Sequence, residues 1–188
     1  MLEDRGVIMN GYAGSILRVN LTNKTYRKEP LPMELADNYI GGRGFVAKLM
    51  WDEIPKGANP LGPENKVIIA PGPLTGVFLP GSGKLEFGAK SPASGGYGDS
   101  NIGGHISPEI KYAGYDAIII EGEAKEPTYL YINDGDIELR SAEKYWGKGA
   151  LESEALLKED LGDHFQICTI GPAGEKLVLF SCISHDFG

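Results

Sequence analysis

The spacing of apolar and polar positions changes period several times along the chain, and each change marks an element. Ser15-Ile16-Leu17-Arg18-Val19-Asn20-Leu21 is β-rich with partial alternation, and Thr22-Asn23-Lys24 turns it into a short partner strand over 25–28. Pro32 opens a helical run over 33–40 that Gly41-Gly42 stops, and 45–51 predicts a second helix with Phe45, Val46, Leu49 and Met50 inward. After a loop rich in Pro, Gly and Asn at 55–65, the unbroken apolar run Val67-Ile68-Ile69-Ala70 reads as a buried strand, and 84–89 as another. Ser107-Pro108-Glu109 has the form of a helix start, a capping serine followed by proline at the first helical position, with Gly114 as the stop. Residues 117–121 predict a strand, and 128–133 and 137–141 flank Asp134-Gly135, a hairpin signal. Residues 150–161 predict an amphipathic helix with Leu151, Ala155, Leu156 and Leu157 apolar, ended by Gly162. Strands over 166–170 and 177–184 complete the pattern.

That order predicts an α+β fold, dominated by mixed or antiparallel sheets with a few short helices, and not a regular βαβ alternation. The 188 residues suffice for one domain with a sizeable core, and 41% apolar content is ordinary for a globular chain. No apolar run approaches the roughly 18–20 residues of a bilayer span, and the first ten residues lack a signal-peptide core. With 26 acidic against 18 basic residues the net charge is −8, which argues against nucleic acid or an anionic membrane as partner. Cys168 and Cys182 fit no disulfide framework and no zinc or iron–sulfur spacing, both read as core residues, and a cytoplasmic setting is expected. Residues 1–10 read as an N-terminal extension and 11–188 as the domain. Because Asp186-Phe187-Gly188 carries no closing helix or charged tail, the native sequence is expected to continue.

Glycine changes the picture most. It occupies 27 of 188 positions, about twice the usual roughly 7%, and ten of the 33 residues from Gly72 to Gly104. Gly41-Gly42-Arg43-Gly44 has no preceding strand and no phosphate-loop context; it reads as a helix–helix joint using positive φ, or as a joint that also turns Arg43 to an anionic ligand. Pro71-Gly72-Pro73-Leu74-Thr75-Gly76 makes a rigid exit from a buried strand. Gly81-Ser82-Gly83-Lys84 and Ser100-Asn101-Ile102-Gly103-Gly104 read either as surface loops around the strand at 84–89 or as a bed for a polyanionic ligand. In the second case side-chain-poor backbone allows close approach, Lys84 supplies positive charge, and Asn101 supplies an oxygen for a hard cation such as Mg²⁺. His105 and His185 are candidates for groups near such a site, His164 reads as a loop residue, and the acidic residues over 152–163 read as a solvated helix face.

Several strings together resemble a known family. Gly14-Ser15-Ile16-Leu17-Arg18-Val19-Asn20-Leu21, Gly41-Gly42-Arg43-Gly44, Pro60-Leu61-Gly62-Pro63-Glu64-Asn65-Lys66 and Gly72-Pro73-Leu74-Thr75-Gly76 are similar to the opening of the tungsten-dependent aldehyde:ferredoxin oxidoreductases. So are Lys90-Ser91-Pro92, Lys111-Tyr112-Ala113-Gly114-Tyr115-Asp116-Ala117 and Ile170-Gly171-Pro172-Ala173-Gly174-Glu175, in order and nearly without gaps from Gly11 to Gly188. The resemblance implies a β-rich N-terminal domain forming the base for a bis-pterin tungsten (or molybdenum) cofactor, with Mg²⁺ bridging the pterin phosphates. It implies that Lys84 stands where the family commonly has a pterin-contacting arginine. It further implies that Asn101 contacts the cofactor and gives an oxygen to Mg²⁺, and that Gly103 makes a backbone contact. Lysine for arginine keeps the charge and loses the bidentate fork, and Ile102 follows Asn101 where a small polar residue is usual.

The same resemblance implies a whole enzyme that oxidises an aldehyde to a carboxylate and passes electrons through a 4Fe-4S cluster to ferredoxin. The cluster ligands, the proton-transfer residues and the upper half of the pterin cradle lie in later domains. A homo-oligomer stays open. Two other readings stand beside this one: an isolated non-catalytic fragment or structural module without bound cofactor, and a nucleotide-binding protein that uses Gly41 to Gly44.

Overall fold

The computed structural model describes residues 10–187; of the expected extension over 1–10, residues 1–9 lie outside the described residues. The chain enters through strand β1 (Ser15–Asn20), turns at Asn23, whose backbone N–H donates to the Asn20 side chain at 2.9 Å, and returns as β2 (Thr25–Pro30). Helices α1 (Met33–Tyr39) and α2 (Arg43–Glu53) follow, then β3 (Lys66–Pro71), β4 (Leu85–Lys90) and β5 (Tyr97–Ile102). Helix α3 (Ile106–Tyr112) leads into β6 (Ala117–Glu121), and β7 (Thr128–Asn133) pairs with β8 (Asp136–Ser141) in the hairpin expected at Asp134-Gly135. Helix α4 (Ala150–Leu161), β9 (Cys168–Thr169), α5 (Pro172–Glu175) and β10 (Ser184–His185) complete the described chain.

Six strands form one mixed sheet in the order β2-β1-β6-β3-β4-β5, in which β1 and β6 run parallel and every other neighbour pair is antiparallel. The α+β expectation therefore holds. Period-two alternation sorts the apolar side chains onto two faces. Ile16, Ile68, Ala70, Ala117 and Ile119 face the core under α1 and α2, with Phe45, Val46, Leu49 and Met50 packed in as the helix pattern predicts. Leu17, Val19, Leu85, Phe87 and Ile118 face the other core, with Ile110 of α3 and Ile137 of the hairpin. The middle strand β6, flanked on both sides, is apolar at every position to Ile120 because neither face meets water. On α2's side the contact is close. A Cβ at Gly88 of β4 would overlap Val46 Cγ1 and stand 3.1 Å from Met50 Sδ, so a glycine there lets the helix lie on the strand.

Four expectations are corrected. Ser107 does not cap α3: its hydroxyl, fully buried, donates to the Lys84 carbonyl at 2.9 Å and ties α3 to the start of β4. Helix α4 turns Ser153, Glu154 and Leu157 inward and leaves Leu151 and Ala155 exposed, so the acidic run is not uniformly solvated. Glu154 is fully buried, accepts from the Phe187 N–H at 2.9 Å and lies 3.6 Å from the Lys158 ammonium. The predicted strand over 177–184 is absent, since the sheet ends at β2 and β5 and this segment pairs with neither; only Ser184–His185 finds a partner, in β9. Cys182 is exposed, whereas Cys168 is half-buried and packs against the second core, where burial and then the Glu154 carboxylate push its thiol up to about 12.

Candidate functional site at the open end of the central strands

The two ends of β3 differ. At its first residue the Lys66 ammonium bridges Glu53 at 2.8 Å and Glu121 at 2.9 Å, and Arg18 grips the same Glu53 through two bonds of 2.8 and 2.7 Å. Hydrogen bonds from Lys66 hold the Glu121 carboxyl below its ordinary value. Burial would raise that of Glu53, but hydrogen bonds from Arg18 and Lys66 outweigh it and leave the net shift downward. That end is closed by charge pairs.

The other end opens. Gly41 and Gly42 join α1 to α2 with φ of 153° and 49°, and the Gly42 N–H donates to the Pro71 carbonyl at 3.0 Å, fixing the start of α2 over the end of β3. The strand leaves through Pro71-Gly72-Pro73-Leu74-Thr75-Gly76, where the buried Thr75 hydroxyl oxygen accepts from the Gly72 N–H at 3.0 Å. Between these turns and the start of β4 lies an open cleft of about 360 Å³, lined among others by Gly42, Gly72, Ser82, Lys84 and Glu86. The joint reading of Gly41 to Gly44 is thus the observed one, and the anionic groups that Arg43 meets belong to the chain itself. Its Nε lies 3.2 Å from Glu86 Oε1 and 2.5 Å from Asp99 Oδ2.

Strand β5 alters the reading of the second glycine-rich segment. Residues 97–102 are an edge strand and not a loop, antiparallel to β4 with Glu86 opposite Asn101 and Leu85 opposite Ile102. That register carries the chain on so that Lys84 meets Gly103, where a Cβ would stand 4.0 Å from the Lys84 ammonium, and Gly83 meets Gly104, whose carbonyl would lie 2.6 Å from a Cβ at Gly83. Lys84 and Asn101 are both exposed, and with Glu86, Asp99 and Gly103 they fall on the same face of the β4–β5 pair, since side chains alternate and directly opposed residues share a face. Asn101 and Gly103 stand beside the cleft and do not line it.

The two histidines separate. His105 is exposed ahead of α3 and makes no capping bond. His185 is buried; its Nδ1 donates to the Ile167 carbonyl at 2.8 Å, and its Nε2, without a partner among the described residues, faces Gly104, where a Cβ would stand at 2.9 Å. It therefore backs the glycine segment from behind. Among the described residues no three His, Cys, Asp or Glu side chains converge as a metal-binding group. The carboxyl pair of Glu86 and Asp99 went unnoticed in the sequence, because Glu86 lies in a strand otherwise read as core and Asp99 in a stretch read as loop. Burial, then a hydrogen bond with Asp99, pushes the Glu86 carboxyl up; burial also opposes ionisation of Asp99, but hydrogen bonds from Glu86 and Arg43 hold it below its ordinary value.

A family model described as the aldehyde ferredoxin oxidoreductase N-terminal domain matches residues 16–188. The chain belongs to the aldehyde ferredoxin oxidoreductase family. It is 46% identical over 179 residues to the tungsten-containing aldehyde ferredoxin oxidoreductase of Pyrococcus horikoshii, a match covering 95% of this chain and 30% of that protein. It is 35% identical over 191 residues to the WOR-like subunit of an aliphatic sulfonate oxidoreductase of Pyrococcus furiosus, again covering 30% of the relative. The fold matches a chain of the BamBC active-site complex of benzoyl coenzyme A reductase with a TM-score of 0.91 at 36% identity, over 94% of this chain and 27% of that one. The chain thus spans about 30% of the length of the curated relatives it matches, and it corresponds to the N-terminal domain of this oxidoreductase family. No helix among the described residues is long and apolar enough to cross a membrane.

Proposed function

We propose that this aldehyde ferredoxin oxidoreductase-family domain is the floor on which a bis-pterin tungsten (or molybdenum) cofactor rests, in an enzyme that oxidises aldehydes to carboxylates and passes the electrons to ferredoxin. The observation that carries the reading is the β4–β5 register, with Lys84, Asn101 and Gly103 on one face beside an open, glycine-walled cleft. The residues present fit such a group. The backbone is open at Gly81, where a Cβ would meet nothing within 4 Å, and at Gly103, where it would meet only the Lys84 ammonium at 4.0 Å, which leaves room for a flat ligand; the Lys84 ammonium is solvent-facing and suits a phosphate, and the Asn101 carboxamide oxygen suits Mg²⁺.

When bound, the cofactor supplies the redox chemistry. This chain's part is to bind and orient. Lys84 places a positive charge against phosphate as a point contact, weaker in direction than an arginine fork. Asn101 fixes the cation through one oxygen, and Gly103 lets the backbone approach. Relatives that share this domain carry different names, one an aldehyde and another an aliphatic sulfonate oxidoreductase. That spread supports a floor common to several reactions, with the substrate chosen by residues outside it.

The test uses the intact enzyme. Asn101→Ala is expected to lower both tungsten and pterin content, measured by elemental mass spectrometry and by the fluorescence of released oxidised pterin; unchanged contents remove Asn101 from the site. Because the chain covers 30% of its relatives' length, a second reading applies to it alone. By itself it is a non-catalytic module, and aldehyde-dependent reduction of a viologen dye by the isolated chain would refute that.

A further inference from the structure

Two carboxylates stand where the proposed function needs an anion to lie. At the cleft end of the β4–β5 pair, the face that carries Glu86 also carries Asp99 and Asn101, with Lys84 and Gly103 just beyond the strand ends and Lys90 and Tyr97 at the far end, and Glu86 sits directly opposite Asn101 while lining the cleft itself. Glu86 is only 8% exposed, so water screens its charge poorly. A phosphate-bearing ligand on this face would meet repulsion from both carboxylates unless they are neutralised. Lys84 has no salt-bridge partner among the described residues, and its charge is left for the ligand. The neutralising charge comes from another element. Arg43, the first residue of α2, reaches over the sheet and spans both groups, 3.2 Å from Glu86 and 2.5 Å from Asp99, and it is the salt-bridge partner each has among the described residues. The two glycines before it, with φ of 153° and 49°, set the start of the helix so that the side chain falls on β4 and β5.

We infer that Arg43 is a positioning residue of the cofactor floor: its one positive charge, paired with both Glu86 and Asp99, offsets half of their negative charge, so that an anionic cofactor can lie against Lys84 and Asn101 without meeting two unpaired carboxylates. The inference rests on the cofactor-floor reading. It assigns the Gly41-Gly42-Arg43-Gly44 motif a task beyond joining two helices, namely delivery of one cation to a pair of carboxylates that lie 43 and 56 positions along the chain. It also differs from direct recognition of the cofactor by Arg43, because a direct contact is needed whether or not the carboxylates are present.

The experiment compares Arg43→Met, which keeps the alkyl stem, with the same change in a background carrying Glu86→Gln and Asp99→Asn, all in the intact enzyme. The readouts are tungsten content, pterin content and the thermal midpoint. Arg43→Met alone is expected to lower occupancy roughly three- to fivefold, the upper scale of an ion pair whose cation is largely open to water. In the carboxamide background it should change occupancy by less than about twofold, since nothing remains to be neutralised. Full occupancy in Arg43→Met overturns the inference. So does a loss of equal size in both backgrounds, which would mark a direct contact or a purely structural role. If Arg43→Met alone fails to fold, the carboxamide protein with and without Arg43 still decides: dependence on Arg43 there overturns it. The outcomes stay distinct from those of the parent reading. Undiminished tungsten in both Lys84→Met and Asn101→Ala defeats the cofactor floor itself, whereas loss in those two with a neutral Arg43→Met defeats this inference alone.

Discussion

Asp116→Ala should be among the most damaging single changes in the domain. The side chain is 2% exposed and accepts three bonds, from the Ala13 N–H at 3.0 Å, the Gly14 N–H at 2.6 Å and the Lys111 ammonium at 2.6 Å. Its own N–H donates to the Ser15 carbonyl at 2.8 Å, so the residue latches the entry of β1 to the entry of β6, the parallel pair that no turn connects. Lys111 is nearly as buried and, among the described residues, would keep its 2.7 Å bond to the Gly11 carbonyl and its place 5.6 Å from the centre of the Tyr12 ring, with no carboxylate beside it. Removing one partner of such a pair costs about 3–5 kcal/mol, because the other charge is left buried and uncompensated. For a domain of this size each kcal/mol moves the thermal midpoint by about 2–4 °C. The product is a fall of roughly 6–20 °C, read by circular dichroism or calorimetry and checked by urea titration. Asp116→Asn should recover little, since a carboxamide turns a donor toward at least one donor already present. Asp116→Leu paired with Lys111→Met removes both charges and should be milder than either single change predicts. A loss below about 1 kcal/mol for Asp116→Ala would refute the argument that this contact holds the two strands in place.

Two further outcomes follow from burial and charge. A thiol reagent at pH 8 should modify Cys182, which is exposed, and leave Cys168, whose thiol burial raises to about 12, until the protein unfolds; prompt reaction of both would show that Cys168 is not packed against the second core. The folded carboxyls of Glu53 and Glu121 lie below their ordinary 4.5, so their contribution is fully present above that pH and is lost as pH falls through the folded values. Urea midpoints measured from pH 6 to pH 3 should therefore fall below about 4.5 and fall less steeply in Glu53→Gln; parallel profiles would remove the Arg18–Glu53–Lys66 cluster from the acid response.

The elements legible in the sequence are those whose pattern answers to a face. Strand β1, the helix start at Pro32, the inward quartet of α2, the apolar β6 and the Asp134-Gly135 hairpin all repeat at the period their burial demands. Strand β5 escaped because an edge strand needs no apolar face to form: Tyr97-Gly98-Asp99-Ser100-Asn101 owes its strand form to β4 beside it. The error at 177–184 is the converse. Leu177, Val178, Leu179 and Phe180 have strand chemistry, yet Leu177 takes φ of 57° after α5 and the run stays exposed, because β-propensity describes a fit to a neighbour that this segment does not meet. Inside α4 the apolar count was right and the facing wrong. Buried Glu154 answers to the Phe187 N–H and Lys158, partners that hydrophobic periodicity does not reveal.

The site was legible as a list of residues before it was legible as a place. Lys84 and Gly103 are 19 positions apart, and composition alone left open whether the glycines between them were loose loops. What decides is the register of one strand pair. The turn between β4 and β5 is held by the Ser91 N–H to Gly96 carbonyl bond at 2.8 Å and the Gly95 N–H to Ser91 carbonyl bond at 2.7 Å. Asn65 pins the end of β4 from the side, donating to the Lys90 carbonyl at 2.9 Å and accepting from its N–H at 3.1 Å. Those contacts tie the strings around Asn65 and Lys90-Ser91-Pro92 to the register. Their leverage is large, because side chains alternate with period two: a slip of a single residue between β4 and β5 would send Asn101 to the opposite face from Lys84, and bury its carboxamide beside Leu85 and Phe87. On the proposed reading, in which Lys84 and Asn101 act from one face, the residues that fix the register therefore sit at the turn and at Asn65, away from the face whose geometry they determine.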